Sequence, residues 1–147
     1  MSARGRGRIK LLLIALLCAL PVLASWLSYR WLPPAGGKSY GQLLATPLPQ
    51  ARQPGWPQGR WVLLDAAASC NPACEQRRFA MRQIHTAQGE AAMRLVRRQQ
   101  ADAGLRQDGF YLVDPHGNGV LFYPDGAAPA AVIREIRSVL KNNNSLG

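Results

Sequence analysis

The sequence predicts an α/β fold, in which one apolar N-terminal helix is followed by a domain with a small mixed sheet and flanking helices. Three observations carry that prediction. Residues 11–32 are an almost unbroken apolar run behind a basic terminus. Residues 60–66, 110–114 and 120–123 are short apolar runs of the kind that fill buried strands. After Asn71, and again after Pro129, apolar residues recur at helical spacing, which places helices against that sheet. At 147 residues the chain is long enough for one domain of ordinary size.

Taken in order, residues 1–10 read as a basic cytoplasmic tail, with Arg4, Arg6, Arg8 and Lys10 crowded together. The net charge of +10 is lopsided, because all eight acidic residues lie beyond residue 60. A basic excess invites a nucleic-acid partner. Here it stands directly before an apolar run, where the positive-inside rule accounts for it, and no nucleic acid is expected. The 22 residues of 11–32, at about 1.5 Å each, make roughly 33 Å of helix, enough to cross a hydrocarbon core. Pro21 would kink that helix without forbidding it. Trp26, Tyr29 and Trp31 gather at its far end as interfacial aromatics do, and Arg30 can snorkel among them. Val22-Leu23-Ala24 also resembles the end of a cleaved signal peptide, but the length of the run and its aromatic belt favour an uncleaved transmembrane helix. Either way the remainder is exported, and the chain is expected in the bacterial inner membrane as a single-pass protein with its C-terminal domain in the periplasm. Cys18 falls mid-membrane as a small apolar residue, and Leu17 before it argues against lipidation.

Residues 33–59 are rich in Pro and Gln and read as a linker that wraps the domain base, irregular apart from a short edge strand near Tyr40-Gly41-Gln42-Leu43-Leu44. Trp56 and Trp61 are expected to pack into the domain edge. The folded domain is read as 60–141. Its first strand leads into Ala66-Ala67-Ala68-Ser69, then Cys70-Asn71-Pro72-Ala73-Cys74. Asn71 is suited to cap the helix that follows and Pro72 to occupy its first position. Phe79, Met81, Ile84 and His85 mark the expected buried or partly buried side of that helix, Arg77, Arg78 and Arg82 the solvated side, and Gly89 its end. Residues 90–105 leave two readings open, a short strand through Met93, Leu95 and Val96 or a resumed helix to Gln100. Pro115-His116-Gly117-Asn118-Gly119 supplies a hairpin turn between the next two strands. A last helix starts near Pro129, with Val132, Ile133, Ile136, Val139 and Leu140 on one face, and 142–147 is a frayed tail.

The chemistry rests on Cys70 and Cys74. A strand delivers both to the first turn of a helix, where partial positive charge favours thiolate and so a better nucleophile or soft-metal ligand. In an exported domain such a pair is oxidised unless something keeps it reduced.

The strand–cysteine–helix unit with a later hairpin and helix resembles the thioredoxin-like fold, in reduced form. Cys70 and Cys74 at a spacing of four, Tyr111-Leu112-Val113-Asp114-Pro115 with Gly117 two residues on, and the N-terminal anchor together resemble the Sco/SenC group, membrane-tethered proteins of cytochrome c oxidase copper-centre assembly. Tyr40-Gly41, Trp61-Val62-Leu63, Ala80-Met81-Arg82-Gln83 and residues 111–118 are similar to small bacterial membrane proteins encoded with oxidase assembly factors. The resemblance implies copper as cofactor, bound as Cu(I) by Cys70 and Cys74, or a redox role for the same pair. It implies an assembly factor or metallochaperone more than an enzyme, with a cytochrome c oxidase subunit or another copper or thiol assembly factor as partner. Two thiolates suit Cu(I), and a histidine completes the site in Sco proteins. At the matching position this chain offers Arg106, Gln107 and Asp108 instead. His85 lies about 16 Å along the helix from Cys74, and His116 is at the other end of its strand. No proline stands between Pro72 and Pro115, so the cis-proline that faces the cysteines in thioredoxins has no counterpart. Three readings follow: copper or thiol assembly, thiol–disulfide exchange on exported substrates, and a non-catalytic anchored domain with Cys70–Cys74 as a staple.

Overall fold

The computed structural model describes residues 3–31 and 38–145. Two compact units divide the chain, Met1–Lys38 and Ser39–Gly147. Leu32 and the first five residues expected as linker, 33–37, lie outside the described residues, as do residues 146–147 of the expected tail.

The first unit is helix α1, Ala3–Trp31, with Pro21 inside it. The span Gly5–Trp31 is long and apolar enough to cross a membrane, with a mean hydropathy of 2.4 in its most apolar window. Its large apolar side chains, from Leu11 to Trp31, are exposed. Arg4, Arg6, Arg8 and Lys10, expected in a tail ahead of the helix, lie within α1 itself, which begins at Ala3.

The second unit is built on a five-stranded mixed sheet: β1 (Gln42–Pro47), β2 (Trp61–Asp65), β3 (Leu95–Gln99), β4 (Gly109–Val113) and β5 (Asn118–Pro124), in the order β1-β5-β4-β2-β3. β2 and β3 run parallel, while β2–β4, β4–β5 and β5–β1 are antiparallel. Helices α2 (Pro72–Thr86) and α3 (Pro129–Asn142) complete it. A parallel return needs a crossover, and α2 with the 3₁₀ turn Gly89–Arg94 supplies it. That settles the ambiguous middle of the sequence as one strand, with Met93 left exposed in the turn before it.

Alternation along the strands sorts the core into two layers. Trp61 and Leu63 face α2 and α3, packed with Met81, Ile84, Leu95, Leu112, Leu121, Tyr123, Val132, Ile136 and Leu140. Val62 and Leu64 face the other way, packed with Leu48, Trp56, Tyr111, Val113 and Phe122. Each such side chain contributes about 1.5–3 kcal/mol by leaving water. Leu48 and Trp56 come from residues 38–59, which the sequence suggested as linker. The structure folds that segment onto the sheet, with β1 as an edge strand, a 3₁₀ turn at Pro49–Arg52 and Trp56 buried. The reason is the apolar back of β2 and β4, the face turned away from α2 and α3, which this Pro-rich segment closes.

One carboxylate fastens the start of that segment. Glu135, on α3, accepts from Ser39 Oγ and Tyr40 N at 2.8 Å and from Gly41 N and Tyr123 Oη at 2.9 Å. Gly41 is required, since a Cβ there would stand 2.8 Å from the Tyr123 ring. Burial pulls the Glu135 carboxyl upward, but the Gly41, Ser39, Tyr123 and Tyr40 donors outweigh it and hold it below the usual carboxylate range. Burial and the bond to Glu135 push the Tyr123 phenol upward. A depressed carboxyl contributes stability above its unfolded value of about 4.3 and loses it as pH falls through the lower folded value. Replacing Glu135 with Gln is therefore expected to flatten the loss of stability below about pH 4.3. It should also speed amide exchange in residues 39–47, and unchanged exchange there would contradict the fastening role.

Candidate functional site

The C-terminal ends of β2 and β3 converge with the start of α2, and the two cysteines lie there. Asn71 caps α2, its Oδ1 accepting from Cys74 N at 2.9 Å, and Pro72 takes the first helical position. This part of the sequence reading holds. Cys70 and Cys74 form a disulfide with their Cα atoms 5.1 Å apart. The two sulfurs are unequally placed: Cys70 is exposed, whereas Cys74 is buried at 1% exposure.

Beneath the pair is an ionic network that helical periodicity explains. Cys74, Arg77, Met81 and Ile84 form the buried stripe of α2, spaced three and four residues apart. Arg77 thus falls on the inner face, contrary to the solvated position expected for it, and Phe79 lies off the stripe and is 53% exposed, contrary to its expected burial. A guanidinium at a buried position needs counter-charges, and two are supplied. Arg77 Nη1 donates to Asp65 Oδ1 at 2.8 Å, while Nε and Nη2 grip Asp125 at 2.6 and 2.7 Å. The hydrogen bonds to Asp125 and Asp65 outweigh burial and raise the Arg77 pKa further above its ordinary value, so it stays cationic. Asp65, the last residue of β2, is completely buried. It also accepts from Arg78 Nε at 2.7 Å and from Ala67 N at 3.2 Å. Its Oδ2 lies 3.7 Å from Cys74 Sγ. Two carboxylates and two guanidiniums thereby join the end of β2, the first turns of α2 and the turn between β5 and α3.

Strand β4 begins with Gly109, one residue before Phe110, which pairs with Asp65. A side chain there would collide with the Tyr123 carbonyl and the Phe122 ring, so only glycine fits where β4 starts. Arg106 stacks over Phe122 at 4.1 Å and forks onto Asp108. No cis peptide bond occurs among the described residues.

Both histidines stand away from this end. His85 Nε2 bonds the Leu95 carbonyl at 2.8 Å, and Leu95 pairs with Trp61 at the start of β2 while Gln99 pairs with Asp65. Four strand residues at about 3.3 Å each separate the two ends by roughly 13 Å. His116 is exposed in the turn after β4, whose Val113 pairs with Val62, again at the Trp61 end. Among the described residues no group of three His, Cys, Asp or Glu is placed to hold a metal. The donors nearest the sulfurs are a carboxylate already shared by two arginines, a hard oxygen ill matched to Cu(I). The residues present do not fit a three-coordinate Cys–Cys–His copper site.

Arg77, Asp65 and Asp125, which form the ionic network beneath the cysteine pair, are the residues of this candidate site that sequence reasoning missed. The signal for Arg77 was its place between Cys74 and Met81 on one helical stripe. Asp65, as a charge closing an otherwise apolar strand, was a second signal. Comparison with protein-family models, with curated proteins and with solved structures finds no match to the chain.

Proposed function

We propose that this chain is a membrane-anchored, extracytoplasmic protein of thioredoxin-like design that exchanges disulfides through Cys70 and Cys74. The observation that carries this reading is the unequal placing of the two sulfurs over a buried carboxylate. The β2–α2–β3 parallel unit followed by the β4–β5 hairpin and α3 supports the thioredoxin-like part, and the apolar span of α1 supports the anchor. Oxidised cysteine thiols four residues apart fit an exported location.

The geometry orders the chemistry. A thiolate of a dithiol partner attacks the exposed Cys70 sulfur, the Cys70–Cys74 bond breaks, and Cys74 leaves with the electron pair. Departing sulfur takes a proton in a pocket where Asp65 Oδ2 stands 3.7 Å away as the acceptor for the resulting S–H. The partner's second thiolate then attacks its own sulfur in the mixed disulfide and expels Cys70 as thiolate. Two electrons pass from the partner dithiol to the cysteine pair, and the reverse sequence reduces a partner disulfide. The copper-free form of the oxidase-assembly reading follows from this: the partner would be a dithiol or disulfide of a copper-centre subunit or of another assembly factor, as the Sco/SenC resemblance implies.

A staple role is less well supported. Closing a loop of this length restrains the unfolded chain by only about 2 kcal/mol, and Asn71 and Pro72 already fix the helix start. Mixing the oxidised full chain in neutral detergent with excess glutathione tests the proposal. Reduction within seconds to minutes, followed by mass after alkylation, is the expected result. A pair that resists millimolar glutathione for hours would contradict it.

A further inference from the structure

Beside the disulfide, α2 and the edge strand β3 enclose a cleft of about 330 Å³ lined by Arg78, Met81, Arg82, Arg97, Arg98 and Gln99. We infer that this cleft seats an extended acidic segment of the partner polypeptide, flanking the partner cysteine that reacts with Cys70. The inference rests on the exchange reading above and adds the class of partner to it.

Four observations carry it. Four arginines and no carboxylate line the cleft; Arg98 turns its guanidinium to the other face, onto the Gly55 carbonyl and the Trp56 ring, which leaves those of Arg78, Arg82 and Arg97. Arg78 and Arg82 lie one turn apart on α2, and alternation places Arg97 and Gln99 on the side of β3 that Leu95 turns to α2. Glu75 shares that side of α2 but stands in its first turn, outside the cleft.

At Arg82 and Arg97 the charge is also not spent internally. Asp65 and Asp125 balance Arg77 and Arg78, whereas exposed Arg82 has an aromatic neighbour, its guanidinium 5.5 Å from the Phe79 ring. Arg97 is exposed on the outermost strand.

The cleft is joined to the reactive pair. Arg78 bonds Asp65 Oδ2, the oxygen that also lies 3.7 Å from Cys74 Sγ. A segment held by Arg82, one turn beyond Arg78, therefore places the residues next to it toward the start of α2, where Cys70 is exposed.

Finally, β3 ends the sheet. Its outer edge offers main-chain hydrogen bonds to an added strand, which supplies affinity without regard to sequence, while the arginines supply the preference for Asp and Glu. Arginines on an edge strand also deter self-association, but that role does not require Arg78 and Arg82 to converge on the same cleft from α2.

The test uses the full chain in neutral detergent, oxidised, with two dithiol peptides that differ only in an acidic or a neutral flank. The acidic peptide is expected to reduce Cys70–Cys74 about tenfold or more faster at low salt, with the advantage shrinking as ionic strength rises. The double variant Arg82→Glu, Arg97→Glu should lose that advantage and keep the native rate with glutathione; Arg97→Gln, milder for folding, should lose part of it. Equal rates for both peptides in the native chain, with glutathione still reactive, would overturn the inference and leave the exchange reading standing. A pair inert to peptides and glutathione alike would overturn both. Binding of the chain to nanodiscs with anionic but not zwitterionic lipid, abolished by the double variant while the two peptides react equally, would assign the patch to the membrane surface and overturn the peptide assignment.

Discussion

Replacing Cys70 with Ser should abolish exchange with dithiol peptides, a loss of about a thousandfold or more, whereas Cys74→Ser should trap the partner. The asymmetry follows from exposure. Cys70 is the sulfur a partner can reach, and Cys74, at 1% exposure, is not. With Cys74 gone, a Cys70 mixed disulfide has no second thiol to resolve it from the protein side, so the adduct accumulates. Mass spectrometry of the two variants after incubation with an oxidised peptide checks this. Adducts on Cys70 in Cys74→Ser and none on Cys74 in Cys70→Ser are expected. Equal adduct yields would mean that the burial of Cys74 does not govern the order of attack.

The second large effect is on stability. Arg77→Ala removes one of the two guanidiniums on a fully buried carboxylate and both hydrogen bonds to Asp125. Breaking a buried pair by deleting one partner costs about 3–5 kcal/mol, because the remaining charge stays buried. Against a typical total of about 5–15 kcal/mol that is a severe loss. Urea unfolding of the native chain and the variant measures it. The double variant Arg77→Met, Asp65→Asn should recover part of the loss, since it leaves less unpaired charge inside. A loss below about 1 kcal/mol for Arg77→Ala would show that Arg77 is not what balances Asp65, and would contradict its place in the network.

These two expectations rest on features that were legible to different degrees. The cap at Asn71 and Pro72, the hairpin through Pro115–Asn118 and the apolar face of α3 follow from local rules, and the structure has all three. Local rules are enough there because capping and turn chemistry act over three or four residues. They fail for Arg77 because a charge run is read as solvated unless its counter-charges are known, and Asp65 and Asp125 are 12 and 48 residues away. They go only part of the way for residues 38–59: the edge strand and a packed Trp56 were legible, but proline-rich composition hides that Leu48 joins Trp56 in filling a sheet face formed by strands later in the chain. Strand β3 was one of two readings because Leu95-Val96-Arg97-Arg98-Gln99 carries no strong period of its own and is defined by its pairing with β2. The cysteines were legible as a pair, but not their unequal burial, which depends on how α2 settles over Asp65.

The central claim is that Cys70–Cys74 is a working disulfide and not a staple. Its reduction potential, measured by equilibrating the full chain with glutathione redox buffers, tests that most directly. The account predicts a value between about −270 and −120 mV, the range of exchange-active pairs, and a value below about −300 mV with slow reduction would contradict it.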